Sequence, residues 1–126
     1  MVESDETLLE AILARFDEGW AEAIDVGPGW YSLLVRLDQQ LSEIDPNYRV
    51  QQVKSKFGAL SFYARSSSEP DEFNEVFHQT IRSAEWESAE MCEECGAPAR
   101  TYAIRLWVST LCEEHAKVKR EEPDER

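Results

Sequence analysis

Four residues in the last third of the sequence have the types and the spacing of a zinc-binding set. Two residues separate Cys92 from Cys95, and two residues separate Cys112 from His115. Structural zinc takes four sulfur and nitrogen ligands in a tetrahedron, and a spacing of two lets one tight turn present both members of a pair. We therefore predict one structural zinc ion bound by Cys92, Cys95, Cys112 and His115.

Other uses of these cysteines fit the sequence less well. The chain has three cysteines, so they cannot all pair as disulfides within one chain. An iron–sulfur cluster is disfavoured by the histidine and by the presence of a single ligand set. Free thiols beside a hydrogen-bonded histidine remain the alternative. Because four protein ligands leave no position open for water, we expect structural rather than catalytic zinc.

The segment between the two ligand pairs predicts how they meet. Residues 100–104 and 106–110 are rich in β-forming side chains, and a hairpin there would return the chain to the first pair. His115 would then lie in a final helix. The turn that carries the first ligand pair, residues 92–96, is called the knuckle below. The order of knuckle, hairpin and helix predicts a treble-clef or zinc-ribbon-like finger over residues 92–120. We expect it to pack on the rest of the protein, since no flexible linker precedes Cys92.

Apolar periodicity predicts three helices before the finger. Leucine, isoleucine and aromatic residues recur at spacings of three and four from Asp5 to about Ala23, from Trp30 to Ile44 and from about Pro70 to Glu90. Between the second and third helices, residues 48–65 predict two strands that turn at the single glycine, Gly58.

The elements together predict an α+β fold. We expect helices packed on a β-hairpin in residues 1–91, the finger in residues 92–120 and a disordered tail in residues 121–126. Trp20, Trp30, Trp86 and Trp107 are predicted in or beside the core, with an exposed contact residue as the alternative for Trp86.

Charge is strongly and unevenly negative. The formal net charge is −13; residues 1–28 carry eight acids and one base, and residues 69–95 carry nine acids and one base. Such a field repels nucleic acid and anionic membranes and favours a basic partner. The alternative is that the charge serves only solubility. The sequence has no secretory signal pattern and no apolar run of membrane-spanning length, so a cytoplasmic protein is expected.

No enzyme motif is present. The sequence contains no Gly-rich phosphate loop, no GxSxG and no HExxH. We therefore predict a non-enzymatic protein-binding module, an inhibitor of a basic, toxin-like partner of the kind formed by immunity proteins and antitoxins. The predicted contact residues are the acids and the tryptophan around the end of the third helix: Glu85, Trp86, Glu87, Glu90, Glu93 and Glu94. The oligomeric state is left open.

A second interpretation remains. The predicted hairpin concentrates basic side chains, namely Arg49, Lys54, Lys56 and Arg65. Basic residues interleaved with aromatic ones suit single-stranded nucleic acid. The alternative function is therefore a phage or bacterial regulatory zinc-finger protein associated with nucleic acid, although the overall negative charge makes nucleic acid the less favoured partner.

Three stretches of the sequence also resemble a known pattern. They are Gly29-Trp30 with the helix after it, the hairpin VQQVKSKFGALSFY at residues 50–63, and the finger with CEECG at residues 92–96 and LCEEH at residues 111–115. Together they resemble an uncharacterised family of small bacterial and phage proteins in which a QVKxKFGxLxFY-like hairpin precedes a CxxCG…LCxxH zinc finger. The resemblance implies the domain layout and the zinc, and it implies no activity.

Overall fold

The computed structural model describes residues 5–67 and 74–121, which form a helical and β-sheet fold. The expected α+β class is confirmed. In chain order the elements are α1 (Asp5–Leu13), β1 (Ile24–Asp25), a 3-10 turn (Pro28–Trp30), α2 (Tyr31–Ile44), β2 (Arg49–Lys56), β3 (Ala59–Arg65), α3 (Glu75–Ser88), β4 (Arg100–Ile104), β5 (Trp107–Leu111) and α4 (Glu113–Glu121).

The core is built around α2, which packs against both α1 and α3. Its apolar stripe is buried, with Leu34, Leu37 and Leu41 fully inaccessible to solvent. Trp30, in the turn that leads into this helix, is also fully buried. The spacing of three and four that predicted the helix therefore marks the face that faces the core.

A three-stranded sheet covers one side of these helices, in the order β1-β2-β3. The predicted turn between β2 and β3 is confirmed, because Phe57 and Gly58 adopt positive φ angles of 54° and 83°. Alternate side chains such as Val53 and Phe62 are buried on the inner face. The opposite face of the sheet carries Lys54 and other polar residues of the hairpin.

Side chains of α3 cover the outer edge of β3. The Leu60 amide donates to the Ser88 hydroxyl at 2.8 Å, and the Phe62 amide donates to the Glu85 carboxylate at 2.9 Å. An unprotected edge strand is a template for pairing with another chain. At these two positions, side chains of α3 accept the hydrogen bonds of the edge amides, so these amides are not free to pair with another chain.

The first helix is shorter than predicted. It ends at Leu13 rather than near Ala23, because the next residues bond to β2 instead of continuing the helix. The Val50 amide donates to the Arg15 carbonyl at 2.9 Å, and the Asp17 amide donates to the Val50 carbonyl at 2.8 Å. Trp20 therefore lies beyond the helix and is 48% exposed, so its predicted place in the core is wrong.

The third helix runs from Glu75 to Ser88, and its end differs from the prediction. The Asn74 side chain accepts the Phe77 amide at 3.0 Å and caps the first turn, while the predicted start near Pro70 lies outside the described residues. The helix ends at Ser88, two residues before the predicted Glu90.

The longest helices among the described residues, α2 and α3, have 14 residues each. None of the described helices has the length and apolar character needed to cross a membrane. The C-terminal helix includes Glu121, so the predicted disordered tail of residues 121–126 begins one residue too early; residues 122–126 lie outside the described part of the chain.

Candidate metal centre

Two turns and a hairpin bring the four predicted ligands together. In the first turn, the Gly96 amide donates to the Cys92 carbonyl at 2.7 Å, and Gly96 has a φ of 83° that favours glycine. Strands β4 and β5 pair from Arg100 opposite Leu111 to the hairpin tip, so the residue after β5 returns to the first pair. Cys112 occupies that position, and His115 follows in the first turn of α4.

The geometry of the quartet suits a tetrahedral ion. All four ligand atoms lie within 4.8 Å of one another. The Cys112 sulfur is 3.2 Å from His115 Nδ1 and 3.9 Å from the Cys95 sulfur, and the Cys92 sulfur is 3.6 Å from the same nitrogen. Zinc bonds of about 2.3 Å to sulfur and about 2.0 Å to nitrogen give tetrahedral edges of about 3.8 Å and 3.5 Å. The three thiols form no disulfide, so the donor set fits a metal ion.

The local hydrogen bonds favour the ligand form of Cys112. The His115 backbone amide donates toward the Cys112 sulfur at 3.5 Å. This amide, together with the His115 ring, lowers the pKa of the Cys112 thiol to about 7. Because a thiolate rather than a thiol binds metal, this sulfur is close to its binding form at neutral pH.

The first knuckle is anchored to the core through Glu93, which lies between two of the ligands. One oxygen of its carboxylate accepts the Gly27 amide at 2.8 Å, and the other accepts the Ser55 hydroxyl at 3.2 Å. Its backbone carbonyl accepts the Gly29 amide at 2.7 Å. Two residues before Glu93, the Met91 carbonyl accepts the indole N–H of buried Trp30 at 2.8 Å.

Close backbone contact at Gly29 completes this joint. A Cβ atom at Gly29 would lie 2.1 Å from the Cys92 carbonyl oxygen and 2.6 Å from the Cys95 amide nitrogen. No side chain fits there, so the turn before α2 and the knuckle can approach only through glycine. The second strand of the hairpin adds a contact, since the buried Thr110 hydroxyl donates to the Gly58 carbonyl.

The six residues predicted to contact a partner fall into three groups. Glu85 and Glu93 are partly buried and bond to backbone amides of the core; burial raises the pKa of the Glu85 carboxyl. Glu87 forms an exposed ion pair with Arg36 at 2.6 Å. The other three are exposed: Trp86, Glu90 and Glu94. Trp86 is 81% exposed, which matches the exposed alternative rather than a place in the core.

The alternative basic surface is divided by the fold. Arg49 and Arg65 both pair with Asp17, at 3.2 Å and 2.9 Å. Hydrogen bonds from Arg65 and then from Arg49 hold the pKa of the Asp17 carboxyl below its usual value. Lys54 and Lys56 lie on the outer face of the sheet, so two of the four predicted cations are already matched by a carboxylate.

Several structurally important residues were not found from the sequence. The anchoring role of Glu93 has no signal in the sequence, because its partners lie 38 and 66 positions away. Gly29 lies between a proline and Trp30, which marks a turn in the sequence. Nothing in the sequence indicated that Gly29 would contact the turn that begins at Cys92. Trp107 was predicted in or beside the core and is 71% exposed, because it lies at the hairpin tip opposite Ile104.

Comparisons with protein-family models, with curated proteins and with solved structures find no match to this chain. The quartet and the surfaces around it are the features of this chain that bear on its function.

Proposed function

We propose that Cys92, Cys95, Cys112 and His115 bind one zinc ion that stabilises the fold. The single observation that carries this proposal is that one nitrogen and three sulfur atoms lie within 4.8 Å of one another, with three of their separations at 3.2, 3.6 and 3.9 Å, close to the edges of a zinc tetrahedron. Three thiolates and an imidazole suit zinc better than magnesium or calcium, which prefer oxygen ligands. Four protein ligands fill the coordination shell and leave no site for a reacting water.

Zinc bound here would hold the finger and the core together. The knuckle that contains Cys92 also presents the Glu93 and Met91 carbonyls to the core. An ion that fixes the knuckle therefore fixes these contacts as well. The succession of knuckle, hairpin and helix is typical of treble-clef or zinc-ribbon-like fingers, and we assign the finger to that type.

We further propose that the protein is a non-enzymatic binding module that inhibits a basic partner, in the manner of an immunity protein or an antitoxin. The support is a formal charge of −13 on 126 residues together with an exposed tryptophan beside acids at the end of α3. Long-range attraction increases the rate at which oppositely charged proteins meet, and an exposed tryptophan is a common anchor of such interfaces.

The test is to isolate the partner and to measure the salt dependence of its association. The tagged, zinc-loaded protein would be cross-linked in the cells that produce it, and the partner identified and purified. We expect a basic protein whose association rate falls as ionic strength rises, because screening shortens to about 8 Å near physiological salt.

Charge reversal then locates the acidic contact. Glu90→Lys with Glu94→Lys should lower the association rate by about tenfold or more at low salt, and change the dissociation rate less. The matched control, Glu10→Lys with Glu43→Lys, changes the net charge equally on exposed positions of α1 and α2. An equal effect of both pairs would reject a contact at the end of α3. Tight binding to single-stranded nucleic acid at physiological salt, lost on Lys54→Ala with Lys56→Ala, would overturn the inhibitor proposal.

A further inference from the structure

A groove runs between the outer face of the β2–β3 hairpin and α3. It has a volume of about 860 Å³ and a floor of small side chains that includes Ala59 and Ser61. Three aromatic residues line it, namely Phe57, Tyr63 and Trp86, and they are 79%, 47% and 81% exposed. Large apolar side chains grouped on the surface of a small protein mark an interaction site.

The charge around the groove is mainly negative. Glu85, Glu87 and Glu90 line its helical side, and Lys56 lies at the hairpin end. Glu85 and Glu87 already have partners, the Phe62 amide and Arg36. The Glu90 carboxylate is exposed and pairs with no cation within residues 5–67 and 74–121. It is therefore the carboxylate available to a ligand, four residues after Trp86 and just beyond the end of α3.

A ligand cannot enter this groove by adding a strand to the sheet along its whole length. The outward amides of Leu60 and Phe62 already donate to Ser88 and Glu85. Strand addition depends on free main-chain groups at the sheet edge. Recognition in the groove must therefore depend on side chains, here aromatic rings with a carboxylate beside them.

We propose that the groove binds an arginine side chain of the basic partner, with the guanidinium against the Trp86 ring and paired with the Glu90 carboxylate. This assignment rests on the proposed function and names the group that the acidic surface recognises. A guanidinium is planar and weakly hydrated, so it stacks on an aromatic ring while it pairs with a carboxylate more readily than an ammonium does. The volume leaves room for residues that flank the arginine.

The same molecule contains this arrangement once already. The Arg15 guanidinium lies 4.1 Å from the centre of the Tyr48 ring and bonds to the Asp38 carboxylate at 3.0 Å. There the arginine, the ring and the acid all belong to one chain. In the groove, the ring and the acid are present and the cation comes from the partner.

Peptide titration tests the assignment without the natural partner. Three capped pentapeptides with glycine and serine flanks would carry arginine, lysine or citrulline at the centre. Each would be added at low salt to the zinc-loaded, ¹⁵N-labelled protein, and the Trp86 indole N–H and the Phe57 and Tyr63 amides followed. We expect saturable shifts with arginine and binding roughly fivefold weaker or more with citrulline, which keeps the shape and loses the charge.

Two variants locate the site, and two serve as controls. Trp86→Ala and Glu90→Gln should each weaken binding of the arginine peptide by roughly fivefold. Trp107→Ala, which removes an exposed tryptophan outside the groove, and Glu43→Gln should leave it unchanged. Shifts located elsewhere, equal binding of the citrulline or lysine peptide, or equal losses in the controls would overturn the assignment.

The two proposals can fail separately. Absence of a basic partner in the cross-linking experiment would reject the inhibitor function, whatever the peptides do. A basic partner whose binding survives Trp86→Ala would leave that function in place and reject the groove as its contact.

Discussion

At the scale of single residues, the joint between finger and core depends on groups that carry no metal. Glu93 bonds to Gly27 and Ser55 from its position between two ligands. Gly29 lets the backbone of the knuckle approach the turn before α2. Buried polar groups cost free energy when their partners are removed, so these residues couple the stability of the finger to that of the core.

Gly29→Ala tests this coupling directly. The added methyl group would overlap the Cys92 carbonyl, so either the knuckle or α2 must shift. We expect the free energy of unfolding to fall by at least about 2 kcal/mol, as for overpacked cores, and zinc to pass faster to a competing chelator. Both are measurable, by urea unfolding of the zinc-loaded protein and by a chelating dye.

The control for this variant is Ser32→Ala, an exposed position three residues further along the chain. It should change the free energy of unfolding by less than about 0.5 kcal/mol, as is usual for surface substitutions. A Gly29→Ala protein with unchanged stability and unchanged zinc retention would contradict the close approach.

The four residues that the fold brings together could be predicted from the sequence, because a metal-binding set depends on residue types at short spacings. The spacing of two within each pair can be recognised without knowing the fold. The exposure of Trp86 among glutamates was also predictable, as an alternative, from local composition. The partners of Glu85 and Glu93 were not, because they are set by packing between segments that are distant in the sequence.

At the scale of elements, the edge of β3 is protected by side chains of α3. Ser88 is fully buried; its hydroxyl accepts the Leu60 amide and donates to the Glu85 carbonyl. Side chains of α3 therefore provide the hydrogen-bond acceptors that a fourth strand would provide at this edge. This arrangement also fixes the wall of the groove that presents Trp86.

Ser88→Ala should destabilise the protein by about 1–3 kcal/mol, because it leaves the buried Leu60 amide without an acceptor. Urea unfolding measures the loss, and Ser83→Ala, an exposed serine of the same helix, provides the comparison. Hydrogen exchange of the Leu60 amide should accelerate in Ser88→Ala and not in Ser83→Ala. Unchanged exchange at Leu60 would show that its amide does not depend on the Ser88 hydroxyl as its acceptor.

Element prediction succeeded where a repeating pattern decided the structure. The stripe of α2 and the alternation in β3 match the buried faces of those elements. The end of α1 was missed because Phe16 has helical spacing but is not part of the helix. It is buried where it forms an isolated β-bridge with Val50. Strand β1 was missed because two residues are too few to show the alternation of apolar and polar side chains that marks a strand. It is defined by its parallel pairing with β2.

At the scale of the whole molecule, the finger and the core share one set of contacts. Trp30 at the centre of the fold donates to Met91, and Thr110 of the finger donates to Gly58 of the hairpin. The division at residue 91 that the sequence suggests stays a prediction. These contacts lead us to expect that the two parts unfold together.

Removal of zinc tests that expectation. Structural zinc contributes on the order of 10 kcal/mol of apparent binding energy in small fingers, so a strong chelator should unfold residues 92–121. We expect amides of α2 and β2 to lose protection from hydrogen exchange as well, and both regions to recover when zinc is returned. Loss of protection confined to the finger would contradict the coupling.

The separation of the ligands along the chain has a consequence for synthesis. Cys92 and His115 are 23 residues apart, and a ribosome adds about 5–20 residues per second. Cys112 follows Cys95 by 17 residues, so for about one to three seconds the first two thiols are made while neither of the other two predicted ligands is. During that interval the nascent chain can load its cysteines with another ion or oxidise them, so we expect a larger supply of free zinc near the ribosome to increase the share of newly made protein that acquires the proposed ion.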